Sequence, residues 1–235
     1  MDAEPDVTRY DTIVGDGDCG IGLKRGAEGM LSSPDVAITP WRHQTSVKGV
    51  FTSRDIATFG IITCAVACCS HLAAILKMLD TAKETDDLLI LVNYIIQVVE
   101  VSMDGTSGAI YAIFLNALAH GLRQNSPSSP QLVTAAVWTK ALESSLKALG
   151  KYTPAQPGDR TLIDALFPFV ETLSKTESIE EAAAAAQHGA QGTKGMKASL
   201  GRTVYVGGEG FQEVPDPGAH GLAELLLGLS DGLKK

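Results

Sequence analysis

Basic residues, cysteines and strand-like alternation are all scarce in this sequence, and each shortage narrows what the chain can be. Lys and Arg number 19 against 27 Asp and Glu, a formal net charge of −8 over 235 residues. That balance argues against a nucleic-acid surface and offers little to an anionic membrane. Only four cysteines occur. Cys64, Cys68 and Cys69 share an apolar stretch and Cys19 stands apart, without a CxxC pair or a Cys/His zinc spacing. A disulfide scaffold needs a denser pattern, so a reduced, cytoplasmic compartment is expected. The opening residues, MDAEPDVTRYD, show neither the basic nor the apolar region of a signal peptide. No Walker A motif is present, since neither Lys nor Ser/Thr follows Gly20 as that motif requires.

What the sequence does have is concentrated at 10–22, YDTIVGDGDCGIG. Asp11, Asp16 and Asp18 fall within eight residues, with Gly15, Gly17 and Gly20 between and after them. Carboxylates this close repel one another, and a hard divalent cation bound by oxygen ligands removes that cost. Glycines accept φ > 0 and let a backbone approach a ligand. The stretch therefore reads as a Mg²⁺ site facing a phosphate. Gly15, Gly17 and Gly20 also satisfy G-x-G-x-x-G, with Asp35 near the expected acidic position. However, Asp16 and Asp18 would repel a pyrophosphate there, and no strand–helix–strand alternation follows. An EF-hand starting at Asp16 would need its glycine at Ile21 and its final Glu at Ala27. The bland alternative is an acidic surface turn.

Helical spacing dominates the remainder. A short helix is expected over 21–31, ended by Ser32, Ser33 and Pro34, and 34–53 looks irregular. Residues 56–76 contain no Asp, Glu, Lys or Arg. That run is long enough to span a bilayer, although His71, Ser70 and Gly60 interrupt it, so a buried core helix is the competing reading. Apolar spacing predicts helices at 86–103, 108–123 and 131–149, with 126–130 as a loop. Another should begin near Thr161, after the Pro157–Gly158 turn. The Ala-rich stretch 178–199 opens with Ser178 as N-cap and Glu181 three residues on, a capping box. A last helix is expected at 219–230. The fold class is all-α, an antiparallel helical bundle or barrel.

Several helix starts carry groups able to hold an anion. Gly105, Thr106 and Ser107 open the 108–123 helix with N–H groups and two hydroxyls, where ordinary capping is the plain reading. The stretch 152–166 delivers Asp159, Arg160 and Thr161 to another start; Asp159 could cap it and Arg160 could pair with an acid. Between 192 and 207, Arg202 beside Gly201 sits where the backbone can open towards a ligand. A Pro–Gly turn at 214–221 precedes the final helix. Four such turns and a carboxylate cluster suggest one site collected at one end of a bundle.

Together the segments YDTIVGDGDCG, MDGTSGAIYAIFLNALAHGL, GDRTLIDAL, GAQGTKGMKASLGRTVYVG and VPDPGAHGLAELL resemble the C-terminal nucleotide-binding L domain of dihydroxyacetone kinases, most closely the fungal ones. They stand in the family's order over roughly two thirds of the chain. The resemblance implies an antiparallel α-helical barrel that binds ATP or ADP with two Mg²⁺ ions. Asp11, Asp16 and Asp18 would then be metal ligands. Cys19, Gly20, Ile21 and Gly22 would contact the nucleotide, as would Thr106, Ser107, Thr153, Thr161, Leu162, Arg202, Asp216, Pro217 and Gly218. The implied reaction is phosphoryl transfer to dihydroxyacetone held by a separate substrate domain, whose ketone-binding histidine matches nothing in this chain. A second copy of the chain is a further candidate partner, and a nucleotide-binding regulatory fragment is the alternative reading. Two other departures stand out. Only ten residues precede the cluster, too few for the family's first helix, and 41–89 is more apolar than the family pattern, so it is expected to lie apart from the site.

Overall fold

A computed structural model describes residues 4–15, 17, 50–51, 88–102, 105–125, 133–205 and 209–234. Among them the chain is all-α apart from a two-residue antiparallel ladder. That ladder joins β1, Val50–Phe51, to β2, Val133–Thr134, with Val50 opposite Thr134 and Phe51 opposite Val133. The described α-helices are α1, Glu4–Val14; α2, Leu88–Ser102; α3, Gly105–Asn125; α4, Ala135–Leu149; α5, Ile163–Thr176; α6, Ile179–Gly192; and α7, Pro217–Leu233. No described helix is long and apolar enough to cross a membrane. The expected helix at 21–31 and the uncharged run at 56–76 lie outside the described residues.

Local sequence explains where these helices start and stop. In α6, Ser178 accepts a hydrogen bond from the Glu181 amide at 3.3 Å, the expected N-cap. The other half of the box goes elsewhere, because the Ser178 amide donates to Thr176 Oγ1 at 3.2 Å. The expectation of helix to 199 is corrected to Gly192. There the Thr193 hydroxyl turns back to the Ala190 carbonyl at 2.6 Å, and Gly195 follows at φ +82°. Helix α7 begins with Asp216 as N-cap and Pro217 at the first position, where a missing N–H costs nothing. Near the N-terminus, where too few residues for a helix were expected, α1 runs for 11 residues and includes Asp11.

Each helix buries one stripe. In α4 the buried residues are Ala135, Trp138, Thr139, Ala141, Leu142, Ser145 and Leu149, the spacing of one helical face. In α6 the stripe is almost pure alanine: Ala182, Ala183, Ala186 and Ala190. Such small side chains let α5 and α7 seat closely against it. The interior keeps an apolar cavity of about 80 Å³ walled by Phe114, Leu118, Leu142, Leu166, Phe169 and Leu226 among others.

From α2 to α7 consecutive helices pack on each other, and α1 packs on α7. Their directions follow from side-chain pairs. Arg123 donates to Asn93 at 3.0 Å and Asn116 to Glu100 at 2.8 Å, so α2 and α3 run antiparallel. Lys234 meets Glu180 at 3.0 Å, while Thr193 meets Asp216 at the other end, so α6 and α7 do the same. Gly121 against Ala141, Ser174 on Glu143 and Gly189 against Asp164 and Pro168 fit the same alternating course for the others. One end of the bundle therefore collects the starts of α3, α5 and α7 and the last turns of α2, α4 and α6. Tyr10 against His220, with Ile13 beside Gly210, brings the last turn of α1 to that end too.

Candidate functional site at one end of the bundle

Asp11 lies in the last turn of α1 and is only 7% exposed. That turn contains no basic residue, and the helix dipole is negative there, so a buried carboxylate is favoured by a cation beside it. Among the described residues no group of three metal-type side chains assembles. Asp16 and Asp18, with Cys19, Gly20, Ile21 and Gly22, lie outside the described residues.

Thr106 is exposed in the first turn of α3, which contains no acidic residue, and Ser107 follows it. The α5 start is different. Asp164 Oδ1 accepts the Gly158 amide, and its Oδ2 accepts the Thr161 amide at 2.8 Å. Thr161 Oγ1 accepts from the Ile163 amide at 3.2 Å, and Thr153 Oγ1 from the Ala155 amide at 3.2 Å. Asp164, not Asp159, is thus the acid serving this helix start. Asp159 instead accepts from Ser199 Oγ and the Gln156 amide, both 2.7 Å away, and these bonds pull its pKa down. The α7 start is likewise self-capped, with Asp216 Oδ2 accepting from the Ala219 amide at 2.8 Å. Burial pushes Asp216 up to about 6. The α5 and α7 starts thus satisfy amides with their own acids, while Asp104, the residue preceding α3, lies outside the described residues.

The segments meet. A Cβ on Gly218 would come within 3.2 Å of Asp216 Oδ2 and 3.8 Å of Leu162 Cβ, so Leu162, Asp216, Pro217 and Gly218 form one patch. Arg202 opens a 3-10 turn, Arg202–Val204, directly after Gly201 at φ +77°.

Three features escaped the sequence reading. Arg160 does not pair with an acid by hydrogen bond but donates to four backbone carbonyls: Thr193 at 2.7 Å, Phe211 at 3.0 Å, Met196 at 3.1 Å and Val214 at 2.9 Å. Burial lowers its pKa, against the opposing pull of nearby Asp216. Thr193 Oγ1 accepts the Asp216 amide at 2.7 Å and so ties the end of α6 to the start of α7. His220 is buried with Nδ1 unpartnered and packs edge-on against Tyr10, 5.1 Å between ring centroids. Burial pulls its pKa down, against Glu224 and Asp6. Only Asp164 had a sequence signal, since Thr161-x-x-Asp164 has capping-box spacing.

A family model, the DAK2 domain, matches residues 64–231. The chain belongs to the DAK2 domain family. The match begins inside the apolar 41–89 segment and leaves the Asp cluster outside it. Longer alignments take in nearly everything. The chain is 39% identical over 233 residues to dihydroxyacetone kinase 2 of Saccharomyces cerevisiae, covering 97% of this chain and 32% of that protein. It is 35% identical over 239 residues to a dihydroxyacetone kinase of Komagataella pastoris, covering 99% and 32%. This DAK2 chain thus spans about a third of the length of these curated relatives. Its fold is similar to that of the C. freundii dihydroxyacetone kinase solved in complex with AMP-PNP and Mg²⁺, with TM-score 0.57, 24% identity, and coverage of 98% of this chain and 31% of that one.

Proposed function

We propose that this DAK2 domain binds Mg·ATP and serves phosphoryl transfer to dihydroxyacetone presented by a separate substrate domain. The observation that carries the proposal is the convergence, at one end of the bundle, of the hydroxyl-bearing start of α3, two self-capped turns and a buried carboxylate. Asp11, Asp16 and Asp18 would hold Mg²⁺, in the number of two that the family resemblance implies. Oxygen ligands alone suit that hard cation, and a carboxylate in the last turn of α1 gains from its presence. Bound metal would supply charge neutralisation on the transferring phosphoryl group.

The chain's own residues then divide the work by charge. The first turn of α3, with the hydroxyls of Thr106 and Ser107 and no acid within the turn itself, receives phosphate oxygens. Asp164 and Asp216 would repel phosphate at α5 and α7, so Thr153, Thr161, Leu162 and the Asp216–Gly218 turn face the nucleoside instead. Cys19 to Gly22 and Arg202 complete the contacts. In the reaction, the acceptor hydroxyl oxygen bonds to the γ-phosphorus as the bond to the β,γ-bridging oxygen breaks. ADP leaves, and the hydroxyl proton is released. In-line positioning of that hydroxyl is the substrate domain's task. A cytoplasmic setting agrees with the low cysteine count and the net charge of −8.

Calorimetry with Mg·ADP tests the binding claim, and coupled ATP consumption with dihydroxyacetone tests the reaction. Expected are ADP binding that requires Mg²⁺, negligible turnover by the chain alone, and turnover once a matching substrate domain is added. Robust turnover alone would refute the division of labour. A nucleotide-binding regulatory role is the second reading; silence in the mixture despite intact Mg·ADP binding would favour it.

A further inference from the structure

Arg160 has φ +58°, a left-handed conformation that costs a non-glycine residue about 1 kcal/mol, and persists only where its surroundings over-determine it. Its side chain is 1% exposed. Two planar NH₂ groups reach carbonyls of Thr193, Met196, Phe211 and Val214, while Nε has no partner. All four carbonyls belong to the connection between α6 and α7, whose described parts are turns and short 3-10 segments. This connection is folded around a buried cation, much as a metal loop is folded around its ion. Thr161 and Leu162 follow Arg160 directly, Arg202 lies within the connection, and Asp216 stands two residues past Val214.

We propose that Arg160 is a positioning residue whose guanidinium fixes the α6–α7 connection, and with it the placement of Arg202 and the Asp216–Gly218 turn relative to Leu162. The inference rests on the nucleotide-site reading above. Lysine cannot replace it, because Thr193, Met196 and Phe211 surround one guanidinium nitrogen while Val214 is reached by the other, and a single ammonium cannot stand at both points.

The test uses the whole chain as Arg160→Lys and Arg160→Gln, with Gly121→Ala as a control. Gly121 faces Ala141, whose Cα would lie 2.9 Å from an added Cβ, so this control strains the α3–α4 contact at the far end of the bundle. Amide hydrogen exchange is read without ligand, and Mg·ADP affinity by calorimetry. Both Arg160 variants should speed exchange across 193–216 by about tenfold or more while α3 and α4 keep their protection. Both should weaken Mg·ADP by about tenfold or more, with no rescue by lysine. Gly121→Ala should lower the melting temperature and leave affinity within about twofold. Unchanged exchange, loss spread evenly over all helices, retained affinity in Arg160→Lys, or failure of both variants to fold would each overturn the proposal. If the unmodified chain does not bind Mg·ADP, the nucleotide reading falls by itself, and the exchange pattern alone decides the role of Arg160.

Discussion

Replacing Asp216 by Asn isolates a cost that burial imposes on the start of α7. The carboxyl group is 8% exposed and its pKa rises from 3.8 to about 6, chiefly through burial. The Ala219 hydrogen bond and the Arg160 charge restrain that rise, and Asp164 adds to it. Because the folded value is the higher one, the folded state keeps a proton that the unfolded chain has released. The stability conferred is therefore fully present below about 3.8 and is lost as pH rises through about 6. A shift of roughly two units at about 1.4 kcal/mol each gives about 3 kcal/mol as the upper size of the effect. Asn caps a helix as well as Asp and has no charge to bury. Asp216→Asn should thus match the unmodified chain near pH 4 and exceed its melting temperature by roughly 5–10 °C above pH 7. Far-UV circular dichroism melts across that range, without Mg²⁺ or nucleotide, measure the difference. A gap that does not change with pH, or one that favours Asp216 above pH 7, would show that the anion is stabilised and refute the reasoning.

Three further outcomes are expected. Asp16→Asn should weaken Mg²⁺-dependent ADP binding by about 1.4 kcal/mol or more, and Asp11→Asn should do the same, whereas Asp35→Asn should not; calorimetry at fixed Mg²⁺ compares them. Gly189→Ala should destabilise by about 1–3 kcal/mol in denaturant melts, because its Cβ would run into the Asp164 carbonyl and lie 2.9 Å from Pro168 Cγ, while Gly228→Ala, with open space around it, should gain up to about 1 kcal/mol. Ser178→Ala should cost about 1 kcal/mol by removing the acceptor for the Glu181 amide, and Ser178→Asp should restore it.

Much of the fold could be read from periodicity and capping. Helices α2 to α4 and α7 appeared within a few residues of their bounds, and α5 within a few of its start, because apolar spacing and turn residues both mark them. Helix α1 did not, and for a physical reason: 11 residues make a marginal helix in isolation. It is held by burying Val7 and Val14 and by the contact of Tyr10 with His220, partners more than two hundred residues away. The end of α6 was missed similarly. Ala198 and Leu200 look helical in sequence, but Thr193 and the glycine at 195 turn the chain towards Arg160 first.

The candidate site divides along the same line. Acids, hydroxyls and glycines announce themselves as side chains, so their grouping near helix starts was legible. Whether a given start is open or already satisfied was not, because that depends on which rotamer the nearby acid adopts. Asp164 and Asp216 could have faced solvent; instead each folds onto amides of its own turn. Arg160 lies at the far limit of what sequence can say. Its partners stand 33 to 54 residues downstream, and all of them are carbonyls, groups that every residue carries. No substitution pattern at Thr193, Met196, Phe211 or Val214 need betray them. The acid spaced to pair with it, Asp164 four residues on, is taken up by the Gly158 and Thr161 amides, which leaves the arginine without that partner. Such a cation either faces solvent or finds backbone, and a residue forced to φ +58° is one whose side chain has been drawn inward.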